Sequence, residues 1–190
     1  MRTTAVLGHD FSVYYRALNN ALNNDREDDL RAALPLLRHM VAAICRAEGG
    51  GPRRYPRAAR VWKGDAQRPV PLNAQKLREA AEMRTAVRFR QFQSATSDEK
   101  LATKYRRRED GKGFLWTIDI PAGFVGAREI AEVAWREREA ETLFAPFCAF
   151  LVVSVAEDGC HLLAVKMGTE LQEVAARHGL RGTAVELLGY

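Results

Sequence analysis

Two carboxylates set two residues apart are the strongest candidates for chemistry in this sequence. Glu139 and Glu141 are separated only by Ala140, and the segment Thr142-Leu143-Phe144 follows directly. On an extended backbone the side chains of residues i and i+2 point to the same side. One such carboxylate can act as a general base while the other stays ionised and holds a substrate hydroxyl. The preceding Arg136-Glu137-Arg138 leaves a surface charge run as the alternative.

Small hydroxyl side chains form a second candidate group, in Phe92-Gln93-Ser94-Ala95-Thr96-Ser97. Hydroxyls at the end of a strand hydrogen-bond ligands and orient neighbouring carboxylates. They also cap helices, and Thr96 or Ser97 directly before Asp98-Glu99 is a favourable cap. Capping accounts for one of these hydroxyls and does not account for Ser94.

A cation beside a glycine is the third candidate, in Val61-Trp62-Lys63-Gly64. A strand that ends in Lys63 and turns at Gly64 could present the ammonium to a phosphate or brace an active site. An exposed lysine at a strand end is the alternative, and by itself the segment does not separate the two.

Length and composition limit the class of protein. The 190 residues are 47% hydrophobic and 28% charged, which is typical of a globular chain and fits one domain over residues 1–190. No apolar run approaches the ~20 residues of a membrane span, and residues 1–10 lack the pattern of a secretory signal. We therefore expect no membrane partner, and a chain that is cytoplasmic or reaches a host cell without such a signal.

Neither a metal nor a nucleic acid is expected as a partner. The three cysteines and four histidines are scattered without the spacing of metal ligands. The net charge of +5, from 29 basic and 24 acidic residues, is a modest excess with no DNA-binding motif beside it. No dinucleotide-binding glycine fingerprint of the hydride-transfer enzymes is present either.

The elements that must position these residues follow from periodicity. Helical spacing of apolar residues predicts two helices in an N-terminal part of about residues 10–48, divided by the polar run Asn19 to Asp29. Residues 58–190 form the predicted sheet core. Its predicted strands are Ala59–Trp62, Val87–Phe92, Phe114–Ile120, Glu141–Phe144, Cys148–Val155, His161–Lys166 and Val185–Leu188. Its predicted helices are Asn73–Arg84, Ser97–Tyr105 and Leu171–His178, with Ala127–Trp135 a short helix or loop. Helices followed mainly by strands predict an α+β fold with antiparallel sheets.

In chain order, the three candidate segments resemble the R-S-E class of mono-ADP-ribosyltransferases, which includes arginine-specific vertebrate enzymes and bacterial toxins. That family carries Arg before Gly on a strand, then a Phe-x-Ser-x-Ser segment, then Glu-x-Glu leading into an apolar strand. Tyr14 to Leu22 is similar to the family's N-terminal helical segment. The resemblance runs to about Val155. Lys63 departs from the usual Arg, and Thr96 replaces the second serine.

The resemblance implies NAD as a consumed substrate, bound in a cleft between two packed, mainly antiparallel sheets beside the N-terminal helices. It implies that Glu141 holds a ribose hydroxyl and stabilises the oxocarbenium-like state, with Ser94 orienting it. Lys63, Gly64 and Thr96 join Ser94 and Glu141 in the implied NAD site. Glu139 would prepare the acceptor. Trp135 and Arg136 would contact the target protein.

Three functions remain open at this stage. The first is transfer of ADP-ribose from NAD to a protein side chain, as in a bacterial effector or toxin, with the acceptor residue unspecified. The second is NAD glycohydrolysis, in which the same Glu141 serves and water is the acceptor. The third is an inactive binding module on the same fold, for which Lys63 is the main argument.

Overall fold

The computed structural model describes residues 11–66, 69, 71–106, 113–130, 140–165 and 184–187. It begins with helices α1 (Phe11–Asn24) and α2 (Glu27–Cys45). The predicted break between them is much shorter than the polar run suggested, because α1 continues through Asn24. The chain turns at Asp25, whose φ of 53° cannot continue a right-handed helix.

Nine strands and two further helices follow in the described part of the chain. The strands are β1 (Ala59–Asp65), β2 (Ala86–Phe89), β3 (Gln93–Thr96), β4 (Phe114–Ile120), β5 (Ala127–Glu129), β6 (Glu141–Phe144), β7 (Ala149–Val155), β8 (Gly159–Val165) and β9 (Ala184–Leu187). The helices are α3 (Pro71–Met83) and α4 (Glu99–Arg106). The start of the segment predicted as a helix or loop is strand β5. The helix predicted over Leu171–His178 lies outside the described residues.

The described strands form one hydrogen-bonded series in the order β5-β6-β3-β1-β4-β8-β7-β2-β9. Only the β4–β8 and β2–β9 pairs are parallel among them. The predicted α+β fold with mainly antiparallel pairing is therefore confirmed. The two packed sheets we expected are joined through β4 and β8, a connection that no local pattern in the sequence encodes.

Strand β4 anchors the core at the centre of this series. Alternate side chains of β4 are buried, beginning with Phe114 and Trp116 and ending with Ile120. The Trp116 ring meets Phe89 edge-on at a centroid distance of 5.4 Å, and Phe89 meets Phe150 at 5.5 Å. Edge-to-face packing of this kind stabilises aromatic clusters beyond area burial alone. These aromatic contacts connect β4 with β2 and β7.

Helix α4 lies close against β1 because residue 64 has no side chain. A Cβ atom built on Gly64 would stand 1.9 Å from the backbone oxygen of Ala102, well inside any tolerable contact. Ala102 is fully buried at this contact. The absence of a side chain at Gly64 therefore allows α4, which forms one wall of the candidate active site, to lie close to the sheet.

Candidate active site

Strands β3 and β6 bring Ser94 and Glu141 into direct contact. The strands pair antiparallel, with Thr96 opposite Glu141 and Ser94 opposite Leu143. Ser94 Oγ donates a hydrogen bond to Glu141 Oε1 at 2.5 Å, and both side chains are half-buried. A hydrogen bond to an ionised carboxylate is about twice as strong as a neutral one. The contact fixes the orientation of a carboxylate 47 residues further along the chain.

A cleft of about 230 Å³ opens beside this contact. All five residues implied to bind NAD line it: Lys63, Gly64, Ser94, Thr96 and Glu141. Helix α4 forms one wall through Leu101, Ala102 and Tyr105. Segments separated by long stretches of sequence thus converge on one concave site, which is the arrangement expected of a ligand-binding site.

Lys63 does not project freely from its strand. Its Nζ donates to both carboxylate oxygens of Asp65, at 2.7 and 2.6 Å. Asp65 Oδ2 also accepts a hydrogen bond of 2.7 Å from Trp116 Nε1. The Lys63 side chain is only 19% exposed, so its charge is held at a fixed place beside the cleft. Asp65 was missed by our sequence analysis, although its i+2 spacing on a strand places it on the same side as Lys63.

Helix α1 holds the chain just before Ser94. The hydroxyl of Tyr15 donates to the Phe92 carbonyl at 3.0 Å, and Asn19 Oδ1 accepts from the Phe92 N–H at 3.0 Å. Asn23 Nδ2 adds a hydrogen bond of 2.7 Å to Gln91 Oε1. The sequence predicted only that this segment is helical. Its role in positioning β3 was missed because nothing local to α1 identifies the peptide it contacts.

Tyr15 also lies close enough to the site for the charges there to affect its pKa. Burial raises the pKa of Tyr15 to about 12, and the negative charges of Glu141 and Asp65 contribute to this rise in pKa. The Tyr15 phenol is therefore neutral at neutral pH, within electrostatic range of the Glu141 and Asp65 carboxylates. Its hydroxyl keeps its proton and remains a donor to the Phe92 carbonyl.

The cap of α4 differs in detail from the predicted one. Asp98 Oδ1 accepts from the N–H groups of Lys100 and Leu101, at 2.9 and 3.2 Å, so Asp98 is the capping residue. Thr96 Oγ1 accepts from the Asp98 N–H at 3.0 Å and supports the turn before the cap. Thr96 thus has a local structural role as well as a position in the cleft lining.

Three of the predicted site residues, Trp135, Arg136 and Glu139, lie outside the described residues. The flanking backbone is ordered by hydrogen bonds from Ser97 N to Ala140 O and from Ile130 N to Glu141 O, at 3.2 and 2.8 Å. Within the described ranges, no group of three or more His, Cys, Asp or Glu side chains is arranged to hold a metal ion.

Several solved ADP-ribosyltransferases share this architecture. Vis toxin, from Vibrio splendidus, aligns with a TM-score of 0.59 and 19% identity over 85% of this chain and 72% of the toxin. HopU1 of Pseudomonas syringae pv. tomato DC3000 aligns with a TM-score of 0.56 and 16% identity, over 79% and 64%. The eukaryotic mono-ADP-ribosyltransferase ART2.2 gives 0.56 and 18%, over 85% and 62%.

Some of these similar structures contain ligands. Vis has been solved with agmatine. Exoenzyme S from Pseudomonas aeruginosa has been solved with a 14-3-3 protein and carba-NAD, and a mutant of ART2.2 with NAD. No protein-family model matches this sequence, and no curated protein matches it. At such low identities the similarity establishes the fold, which is that of the ADP-ribosyltransferases, as the sequence predicted.

Proposed function

We propose that this chain is a mono-ADP-ribosyltransferase of the R-S-E class, which transfers ADP-ribose from NAD to a side chain of a target protein. The observation that carries the proposal is the 2.5 Å hydrogen bond from Ser94 to Glu141 inside a cleft that Lys63 also lines. The three residues come from the three segments in which the sequence resembles the class, and the fold is that of the ADP-ribosyltransferases. Similar structures that hold NAD or carba-NAD support NAD as the substrate.

Glu141 provides the central electrostatic contribution in this proposal. The bond between the anomeric carbon of the ribose and the nicotinamide nitrogen breaks, and its electron pair leaves with nicotinamide. Positive charge develops on the sugar, and a fixed carboxylate stabilises it more in the transition state than in the ground state. Ser94 keeps that carboxylate in one orientation, which spares the reaction the cost of ordering it.

Lys63 replaces the family's arginine and is assigned to the phosphates or the neighbouring ribose. Its partner Asp65 holds the ammonium in place and offsets its charge. The phosphates of NAD must therefore either displace Asp65 from Lys63 or bind the ammonium together with Asp65. A cleft of about 230 Å³ is smaller than the roughly 300–1,000 Å³ of a typical ligand site. We assign it to the nicotinamide riboside part of NAD, with the rest of the dinucleotide extending past Lys63.

Glu139 is proposed to take the proton from the acceptor as the acceptor attacks the anomeric carbon. Trp135 and Arg136, in the segment before it, are proposed to contact the target protein. Agmatine carries a guanidinium, and its presence in the similar Vis structure favours an arginine as the acceptor. Two of the similar proteins are toxins, which favours an effector that modifies a protein of another cell.

A transfer assay tests this proposal against hydrolysis. The purified chain is incubated with labelled NAD, first with agmatine and then with a eukaryotic cell lysate, beside a Glu141→Ala variant. Transfer predicts labelled agmatine or labelled protein bands that are absent with the variant. Release of free ADP-ribose without any labelled acceptor would identify an NAD glycohydrolase instead. Failure to bind NAD would identify an inactive binding module.

A further inference from the structure

A second concave surface, of about 730 Å³, runs along helix α2. We call it the α2 groove. Its apolar lining comes from α1, α2 and the turn after β6, and includes Leu22, Leu34, Leu37, Val41, Cys45 and Phe147. The groove shares no lining residue with the cleft at Ser94. Nothing in the proposed transfer reaction uses it.

The groove exposes large apolar side chains at both of its walls. Leu34 is 41% exposed and Phe147 is 43% exposed. Phe147 also has a φ of 61°, a conformation that is uncommon for a bulky side chain. Its N–H donates to the Phe89 carbonyl at 2.8 Å. The fold therefore holds the Phe147 ring outward despite the unfavourable backbone conformation. Contiguous exposed apolar surface of this kind marks interaction sites.

The rim of the groove is basic. Arg38, His39 and Arg46 line it together with the apolar residues, and no acidic side chain does so among the described residues. Within the same part of the chain, neither the Arg38 nor the Arg46 guanidinium is in an ion pair. Unpaired guanidiniums around an apolar floor favour an occupant that carries carboxylates at its edges.

The length of the groove accommodates a helical occupant. The lining residues within α2 extend from Leu34 to Cys45, which at 1.5 Å per residue is about 17 Å. That length accepts about three turns of an amphipathic helix, with anchors at i, i+3 or i+4, and i+7. We propose that the α2 groove binds an amphipathic helix of a partner protein, whose apolar stripe is flanked by Asp or Glu.

The test uses a defined peptide rather than an unknown partner. The probe is a fluorescent helical peptide of about three turns with leucines on one face and glutamates beside them. Its counterpart has lysines in place of the glutamates. Binding is measured by anisotropy at low and high salt without NAD, so the outcome is independent of the proposed enzymatic activity.

Leu34→Glu and Arg38→Glu are the variants, and Leu36→Glu is the matched control. Leu36 lies on the same helix and is 44% exposed, close to the 41% of Leu34, but it does not line the groove. We expect the acidic peptide to bind the wild type in a salt-sensitive manner. Its affinity should fall at least about tenfold in both variants, or about 1.4 kcal/mol, and stay unchanged in the control.

Several results would overturn the proposal. They include no binding of the acidic peptide, equal binding of the lysine peptide, and an equal loss in the Leu36→Glu control. Self-association of the chain that Leu34→Glu abolishes would assign the groove to a second copy. Binding to anionic vesicles that the same variant abolishes would assign it to a membrane surface. Unchanged thermal unfolding would show that the variants fold.

Discussion

Ser94 acts in this account mainly through the carboxylate that it contacts. We expect Ser94→Ala to lower kcat for nicotinamide release by about 10- to 100-fold, because a hydrogen bond to a charged group contributes about 1.5–3 kcal/mol. KM for NAD should change little. Ser154→Ala, an exposed serine on β7, is the control. An unchanged kcat in Ser94→Ala would show that the 2.5 Å contact does not orient Glu141 for catalysis.

Substitution of Lys63 is expected to change KM more than kcat, the opposite of what we expect for Ser94→Ala. Lys63→Ala should raise KM for NAD by about tenfold with a smaller effect on kcat, because a charge that contacts a phosphate in both ground and transition state contributes to binding uniformly. Lys63→Arg should retain activity, since the fork of arginine also fits phosphate. Lys100→Ala, on the exposed side of α4, is the control. An unchanged KM in Lys63→Ala would remove Lys63 from the NAD site.

The sequence was sufficient to predict that three candidate residues come together, and insufficient for the residues that support them. Lys63, Ser94 and Glu141 stand in short segments whose order was enough to predict their convergence. Asp65 and Tyr15 have roles that depend on partners brought close by folding. Asp65 accepts a hydrogen bond from Trp116 across 51 residues, and Tyr15 donates to the Phe92 carbonyl across 77 residues. No local pattern encodes such contacts.

At the scale of elements, α1 functions as a clamp on the start of β3. Asn19→Ala would leave the Phe92 N–H without its acceptor next to a side chain that is only 1% exposed. A buried donor without a partner costs about 1–3 kcal/mol, so the free energy of unfolding in urea should fall by about that amount. We also expect lower nicotinamide release, because β3 carries Ser94.

Asn20 offers a matched control for this prediction. It is the next residue on the same helix and is exposed. Asn20→Ala should leave both unfolding and activity near the wild-type values. Equal effects of the two substitutions would mean that α1 contributes general helix stability and does not clamp the strand.

Strands were easier to predict than their arrangement. The alternation in Phe114–Ile120 and the segment Glu141–Phe144 predicted the observed bounds of β4 and β6. The parallel pairing of β4 with β8 was missed because strand order depends on packing between distant segments. The end of α1 was misplaced because Asp25, with its positive φ, ends the helix where no glycine or proline marks a boundary.

For the molecule as a whole, thiols and phenols whose pKa is raised by burial make stability sensitive to alkali. Burial raises the pKa of Cys148 and of Cys160 from 9.0 to about 12, and that of Tyr15 from 10.0 to about 12. The unfolded chain therefore releases these protons at a lower pH than the folded chain does. The stability they contribute is present below about pH 9 and is lost as pH rises from 9 to 12.

We expect the urea midpoint of unfolding to fall steeply between about pH 8.5 and pH 11. Replacing Cys148 and Cys160 together by alanine should flatten this fall, even though the variant is less stable at neutral pH because the core is less filled. The comparison of slopes, rather than of midpoints, isolates the two thiols. An identical slope in the double variant would contradict the assignment.

The central claim, that the cleft at Glu141 cleaves NAD, is tested most directly by nicotinamide release from NAD with no acceptor other than water. Wild type is compared with Glu141→Gln and with Glu129→Gln, a matched change of an exposed carboxylate on the neighbouring strand. The account predicts release by the wild type and by Glu129→Gln, and a loss of at least about a hundredfold in Glu141→Gln with unchanged thermal unfolding. Equal release by all three proteins, or none by the wild type, would contradict it.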